Sequence, residues 1–221
     1  MEKEDPGFTL IELLVAMVVG LVVLGAVYAV FTLHDREAQR QEQVIEMQQS
    51  ARSAMEMMTR EIRMAGFNQT SAACSSPATA VRRCTGSTTA ANPPCVGITH
   101  AGADAIGFAA DLNSNCDTTP GTANPDENIT FDTYLLNGVK VIGRTSNGAR
   151  QPAVDHVDSL SFTYYDGSGS ETANVANIRK IKIRLTVRTG KIDPGYTDPT
   201  AGDQHRRYTL ESSVILRNMG S

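Results

Sequence analysis

The amino-acid sequence predicts an α+β fold in which one long N-terminal helix packs on an antiparallel β-sheet. Three observations carry that prediction. Residues Phe8 to Leu33 are almost wholly apolar, and His34 to Gly66 continues in a helical repeat without proline or internal glycine. From residue 67 onward the pattern switches to period two. The averages over the 221 residues, with 41% hydrophobic residues and 20 basic against 24 acidic side chains, fit one ordinary domain with an appendage. They exclude a collagen-like, low-complexity or multi-span membrane chain. A net charge of −4 also argues against a chain built mainly to coat nucleic acid.

The apolar segment comes first. Of the 26 residues from Phe8 to Leu33, 21 are apolar or aromatic, and Glu12 is the only charge. The uncharged run Leu13 to Leu33 would form a helix about 30 Å long, the thickness of a bilayer's hydrocarbon core. A cleaved secretory signal peptide is the competing reading. It fits poorly, because the run is too long, the residues before it are acidic, and no Ala-x-Ala site follows. Lys3 is outnumbered by Glu2, Glu4 and Asp5, so charge leaves the topology open. A carboxylate within such a helix costs roughly 2.5–3.5 kcal/mol on insertion scales, which marks Glu12 as a residue with a partner.

The run Gly7-Phe8-Thr9-Leu10-Ile11-Glu12, followed by Leu13-Leu14-Val15-Ala16-Met17, resembles the cleavage and methylation signature of type IV prepilins and their type II secretion relatives. The resemblance implies cleavage between Gly7 and Phe8 by a prepilin peptidase, with N-methylation of Phe8. It implies that Glu12 pairs with the Phe8 amine of a neighbouring subunit in a filament. A buried carboxylate in lipid is best neutralised by a cation, which a free amine supplies. It also implies a single-pass inner-membrane chain with its N-terminus cytoplasmic and its head periplasmic, carried later to the cell surface in a pilus.

Between His34 and Gly66, apolar residues recur at Val44, Met47, Ala51, Met55, Met58, Ile62 and Ala65. Steps of three and four make an amphipathic stripe, and the methionines in it read as adaptable core filling. Gly66 reads as the stop. Met58 to Phe67 (MTREIRMAGF) resembles the stretch that closes the long helix of PilW-type minor pilins. The expected organisation is a leader over 1–7, a membrane or filament-core helix over 8–33, an amphipathic helix over 34–66 and a β-rich head over 67–221.

In the head, Ile181, Ile183, Leu185 and Val187 alternate with Lys182, Arg184, Thr186 and Arg188, the pattern of a strand buried on one face. Leu160, Phe162 and Tyr164 alternate likewise, as does the stretch from Tyr208 to Leu216. Asn128 to Leu136 and Val139 to Arg144 flank Asn137-Gly138, a strong hairpin signal. A weaker strand is expected over Ala105 to Ala110. Five or six strands then need the helical stripe as a cover. Tyr208 to Asn218 also resembles the last strand of the PilW family. Asn68 to Asn92 and Gly190 to Gln204 read as loops.

Cys74, Cys84, Cys95 and Cys116 lie in the first third of the head. Outside the cytoplasm, where the resemblance places this head, four cysteines suggest two disulfides with three possible pairings. Sequence proximity favours Cys74–Cys84 with Cys95–Cys116. A metal site is the alternative, but no C-x-x-C pair occurs. Asp111, Asn113, Asn115 and Asp117 alternate as oxygen ligands do in calcium loops. An Asn- and Asp-rich turn is the competing reading, since the usual glycine and glutamate of such a loop are absent. Calcium is the sole cofactor the sequence raises.

No GxSxG, HExxH, Walker A or GxGxxG sequence is present, and His34, His100, His156 and His205 are scattered, so no enzyme is expected. Lys182, Arg184 and Arg188 form a basic strand face without interleaved aromatics, so a solvated face is favoured over nucleic acid. The function expected is that of a PilW-family minor pilin that helps initiate, and tip, a type IV pilus. Its partners would be major and minor pilins, the prepilin peptidase, the inner-membrane assembly platform and membrane lipid. The alternatives are the J-type minor pseudopilin of type II secretion, and a pilus-associated adhesin or DNA-binding module.

Overall fold

The computed structural model describes residues 9–68, 82–83, 95–113, 118 and 126–219. The chain divides into two compact units, 1–44 and 45–221. A single helix, α1 (Leu10–Ile62, 53 residues), begins in the first and ends in the second. In the first unit every large apolar side chain from Leu10 to Leu33 is exposed, with values between 52% at Leu14 and 79% at Leu10.

In the second unit α1 buries Met47, Ala51, Ala54, Met55, Met58 and Ile62; of the expected stripe, Val44 is only half-buried and Ala65 is buried just beyond the helix, while Ala54 joins it. Regular helix ends at Ile62. A tighter final turn carries the chain on, through Met64 N–H to Glu61 O (2.9 Å) and Ala65 N–H to Ile62 O (3.0 Å). It stops at Gly66, whose φ of +77° no Cβ-bearing residue adopts comfortably.

The strands are β1 (Arg82–Arg83), β2 (Cys95–Ala101), β3 (Ile106–Ala109), β4 (Asn128–Leu136), β5 (Val139–Ser146), β6 (Ala149–Val154), β7 (Val157–Tyr165), β8 (Lys180–Arg188) and β9 (Arg207–Ile215). A 3₁₀ turn, Arg217–Met219, follows. They form two sheets rather than the one expected: six strands in the order β1 to β6, and three in the order β7-β8-β9. All neighbours are antiparallel except β1 and β2. The chain leaves the first sheet at Asp155-His156, where His156 takes a φ of +55°. That turn is what divides the strands into two sheets.

Leu136 pairs with Val139 across Asn137 (φ +51°) and Gly138 (φ +80°), the two positive angles of a type I′ turn. Ile98, Ile106, Phe108, Phe131 and Ile142 in the large sheet are fully buried, as are Ile181, Ile183 and Leu185 in the small one. With the helical stripe they form the core of the head.

Candidate functional site: the helix start and the head surface

Thr9 and Glu12 open the helix together. The Glu12 carboxylate accepts the Thr9 amide N–H and the Thr9 hydroxyl, both at 2.9 Å, and the Glu12 amide donates to Thr9 Oγ1 at 3.3 Å. This is a capping box, in which residues at N-cap and N3 satisfy each other's otherwise orphaned main-chain donors. Thr-x-x-Glu was legible in the sequence, yet only Glu12 attracts attention there. Gly7 and Phe8, the expected processing residues, lie outside the described residues.

The other end of α1 is fastened to the head by long-range contacts among the described residues. Arg144 on β5 reaches Glu61, Gly66 N–H donates to Ala109 O at 3.0 Å, and Asn218 Nδ2 donates to Arg63 O at 3.3 Å. Arg144 also holds Asp126 at 2.7 Å, and this hydrogen bond keeps the Asp126 carboxyl below its ordinary range. A side chain at Gly66 would meet Met219 Sδ at 2.9 Å and Asn218 O at 3.2 Å. The C-terminal turn therefore closes directly over the helix end.

Most of the remaining expected site residues fall outside the described residues. Cys74, Cys84 and Cys116 lie outside the described residues, and Cys95 is described only as the first residue of β2. Asp111 and Asn113 lie in the turn after β3, whereas Asn115 and Asp117 are outside the described residues. Asp111 is fully buried and its N–H donates to Phe67 O at 2.9 Å. Glu127, absent from the sequence reading, is buried beside this turn and accepts the amides of Leu112 and Asn113 at 2.8 and 2.9 Å. Its visible work is to order the turn. Among the described residues no group of three His, Cys, Asp or Glu side chains is placed to hold a metal ion.

The four histidines lie on different elements, and two of them, His156 and His205, approach the start of the loop after β8, at Gly190 and Thr189. His34 is in α1, His100 on β2 and His156 in the turn before β7. His205 lies near the end of the last loop, with Nδ1 2.8 Å from Thr189 O.

That loop, between β8 and β9, is more ordered than its Gly, Pro and Asp content suggests. Arg207 pairs with Asp158 (3.1 Å), Asp198 (3.4 Å) and Asp203 (2.7 Å). Arg206 pairs with Asp193 at 2.9 Å and lies over the Tyr196 ring. The Arg207 hydrogen bond holds Asp203 well below the usual carboxylate range, and the amides of Ala201 and Thr200 lower Asp198. On the basic strand face Lys182 and Arg184 converge on Glu211 at 2.9 and 3.6 Å. The row is thus partly neutralised by its neighbour on β9.

Comparison with known proteins bears on the N-terminus. Residues 5–28 match the model of the prokaryotic N-terminal methylation motif. No curated protein matches the chain. Among solved structures it is similar to a type IV-like pilin, TTHA1219 from Thermus thermophilus, at 10% identity with a TM-score of 0.42, over 78% of this chain and 97% of that one. The chain therefore carries a prepilin-type methylation motif at its N-terminus, and among the described residues one helix is long and apolar enough to cross a membrane.

Proposed function

We propose that this protein is a structural subunit rather than an enzyme: a minor pilin of the PilW type, cut between Gly7 and Phe8 and methylated on Phe8, that helps prime and tip a type IV pilus. The observation that carries the reading is the methylation motif at residues 5–28, set at the start of a helix whose large apolar side chains from Leu10 to Leu33 are all exposed. Such a surface is unfavourable in water. Two apolar environments would accept it in turn, the bilayer before assembly and a bundle of like helices afterwards. In that bundle Glu12 pairs with the Phe8 amine of a neighbour, and the head meets other pilins.

Mass spectrometry of the mature chain is the direct test. The expected N-terminus is methylated Phe8, and any other first residue overturns the reading. Deletion of the gene is expected to remove surface pili. Loss of protein secretion with pili intact would replace this reading with that of a J-type pseudopilin. Normal piliation with lost adhesion or DNA uptake would replace it with that of a binding module.

A further inference from the structure

We infer that the outer edge of β9 accepts an extended, acidic segment of a partner protein as a fourth strand of the small sheet. This inference does not rest on the assembly reading, because it concerns the head alone.

β9 is the last strand in the order β7-β8-β9, and its pairing with β8 runs from Lys180↔Ile215 to Arg188↔Arg207 without a register shift. The flanking bonds Thr189 N–H to Arg206 O and Leu216 N–H to Arg179 O, both 2.9 Å, set the phase of the ladder. Even-numbered residues from Arg206 to Leu216 therefore turn their main chain toward β8. Thr209, Glu211 and Ser213 turn theirs outward. Among the described residues no other segment pairs with that side of β9.

Other edges of the head are blunted in the ways that natural sheets use. β7 donates Phe162 N–H to Ala103 O at 2.8 Å and carries an irregularity between Val157 and Ser159. β6 contains Pro152 and pairs with β5 across a shift at Ile142/Gly143. β9 has nine residues with no proline, no glycine and no bulge. A regular open edge of this kind is a template for strand addition.

Charge and burial define what would fit. Toward the Ile215 end of the edge the solvent face presents Lys180, Lys182 and Arg184 against Glu211, which Lys182 and Arg184 already hold, whereas at the other end Arg207 is already matched by Asp158, Asp198 and Asp203. The face therefore keeps a positive excess that suits acidic side chains on an added strand. On the opposite face Tyr208 and Leu210 are only half-buried, whereas their β8 partners Val187 and Leu185 are buried. An added strand with apolar residues on that side would complete the cover. The occupant is thus a segment that alternates acidic and apolar residues.

The test uses the full-length protein in detergent micelles and a fluorescent peptide of alternating valine and glutamate, followed by polarisation. Two control peptides carry lysine in place of glutamate, or N-methyl groups on alternate amides. Ser213→Pro removes an outward N–H without touching a β8 main-chain bond, and Ile215→Pro, at an exposed outward position, serves if that variant does not fold. The acidic peptide is expected to bind and to raise amide protection at Thr209 and Glu211. The lysine peptide, the N-methylated peptide and the proline variant should each weaken binding roughly tenfold or more. No binding, or binding that N-methylation and the proline leave unchanged, overturns the inference.

Discussion

Arg144 Nε donates to both carboxylate oxygens of Glu61, at 3.1 and 2.9 Å, and so ties β5 to the last turn of α1. Their side chains are only 19% and 16% exposed, which places the pair between a surface ion pair of little worth and a buried one whose breakage is costly. The sequence separation is 83 residues. With the Gly66–Ala109 and Asn218–Arg63 hydrogen bonds, this contact holds the end of the amphipathic half of the helix against the head.

Replacing Arg144 by methionine should therefore destabilise the head by about 2 kcal/mol, because Glu61 and Asp126 both lose a charged donor. Urea unfolding followed by near-ultraviolet circular dichroism measures it. Arg144→Lys should recover only part of the loss, since an ammonium cannot reproduce the geometry of the guanidinium.

Gly66→Ala should cost about 1–2 kcal/mol, from the left-handed backbone alone. The added methyl group also meets Met219 Sδ at 2.9 Å. If strain against Met219 contributes, Met219→Ala in the same chain will give a double-mutant effect smaller than the sum of the singles.

Acid should weaken the head, and the sign follows from the shifts. The folded values of Asp126, Asp198 and Asp203 are all lowered. Each carboxylate therefore contributes stability that is present above its unfolded value, about pH 4, and is lost as pH falls through the lower folded value. The unfolding midpoint is expected to be level between about pH 5 and 7 and to fall below about pH 4. Arg207→Gln should lower the plateau and flatten the acid limb, because Asp203 then loses its main hydrogen-bond donor.

Thr9→Ala and Glu12→Gln separate two roles of the helix start. Loss of the Thr9 cap should weaken the first turn by about 1 kcal/mol, seen as several-fold faster amide exchange near Leu13 in micelles. Glutamine serves in a capping box as well as glutamate does. Glu12→Gln should therefore leave that exchange unchanged while removing the charge on which the proposed subunit pairing depends.

Two disulfides among Cys74, Cys84, Cys95 and Cys116 remain a proposal with a simple check. A maleimide should label none of them in the denatured chain until a reductant is added. Labelling before reduction would exclude the pairing.

Much of the fold was legible because its signals are local. The stripe from Met47 to Ala65 and the Asn137-Gly138 turn each rest on a few adjacent residues. The same dipeptide at Asn147-Gly148, with φ values of +52° and +75°, makes a second such turn between β5 and β6. Its second flank gives no strand signal in the sequence, because Ala149, Arg150, Gln151 and Pro152 are all exposed and β6 shows no alternation. β2 was hidden by Gly97, whose φ is +123°, and by the irregularity between Ile98 and His100. Glu127 and Arg207 were missed because their partners are set by contact across the fold and not by spacing.

The sequence alone determined the N-terminal motif, the long helix with its two characters, and the strands whose inner faces are buried. Periodicity and turn chemistry act over a few residues, so they can be read without knowing the fold. The tertiary structure decided the division into two sheets at His156, the partner of Glu61, the clasp of aspartates around Arg207 and the strand, β9, whose outer edge no other described segment pairs. Those depend on hydrogen-bond ladders and ion pairs between residues far apart in sequence, and no local pattern encodes which of them meet.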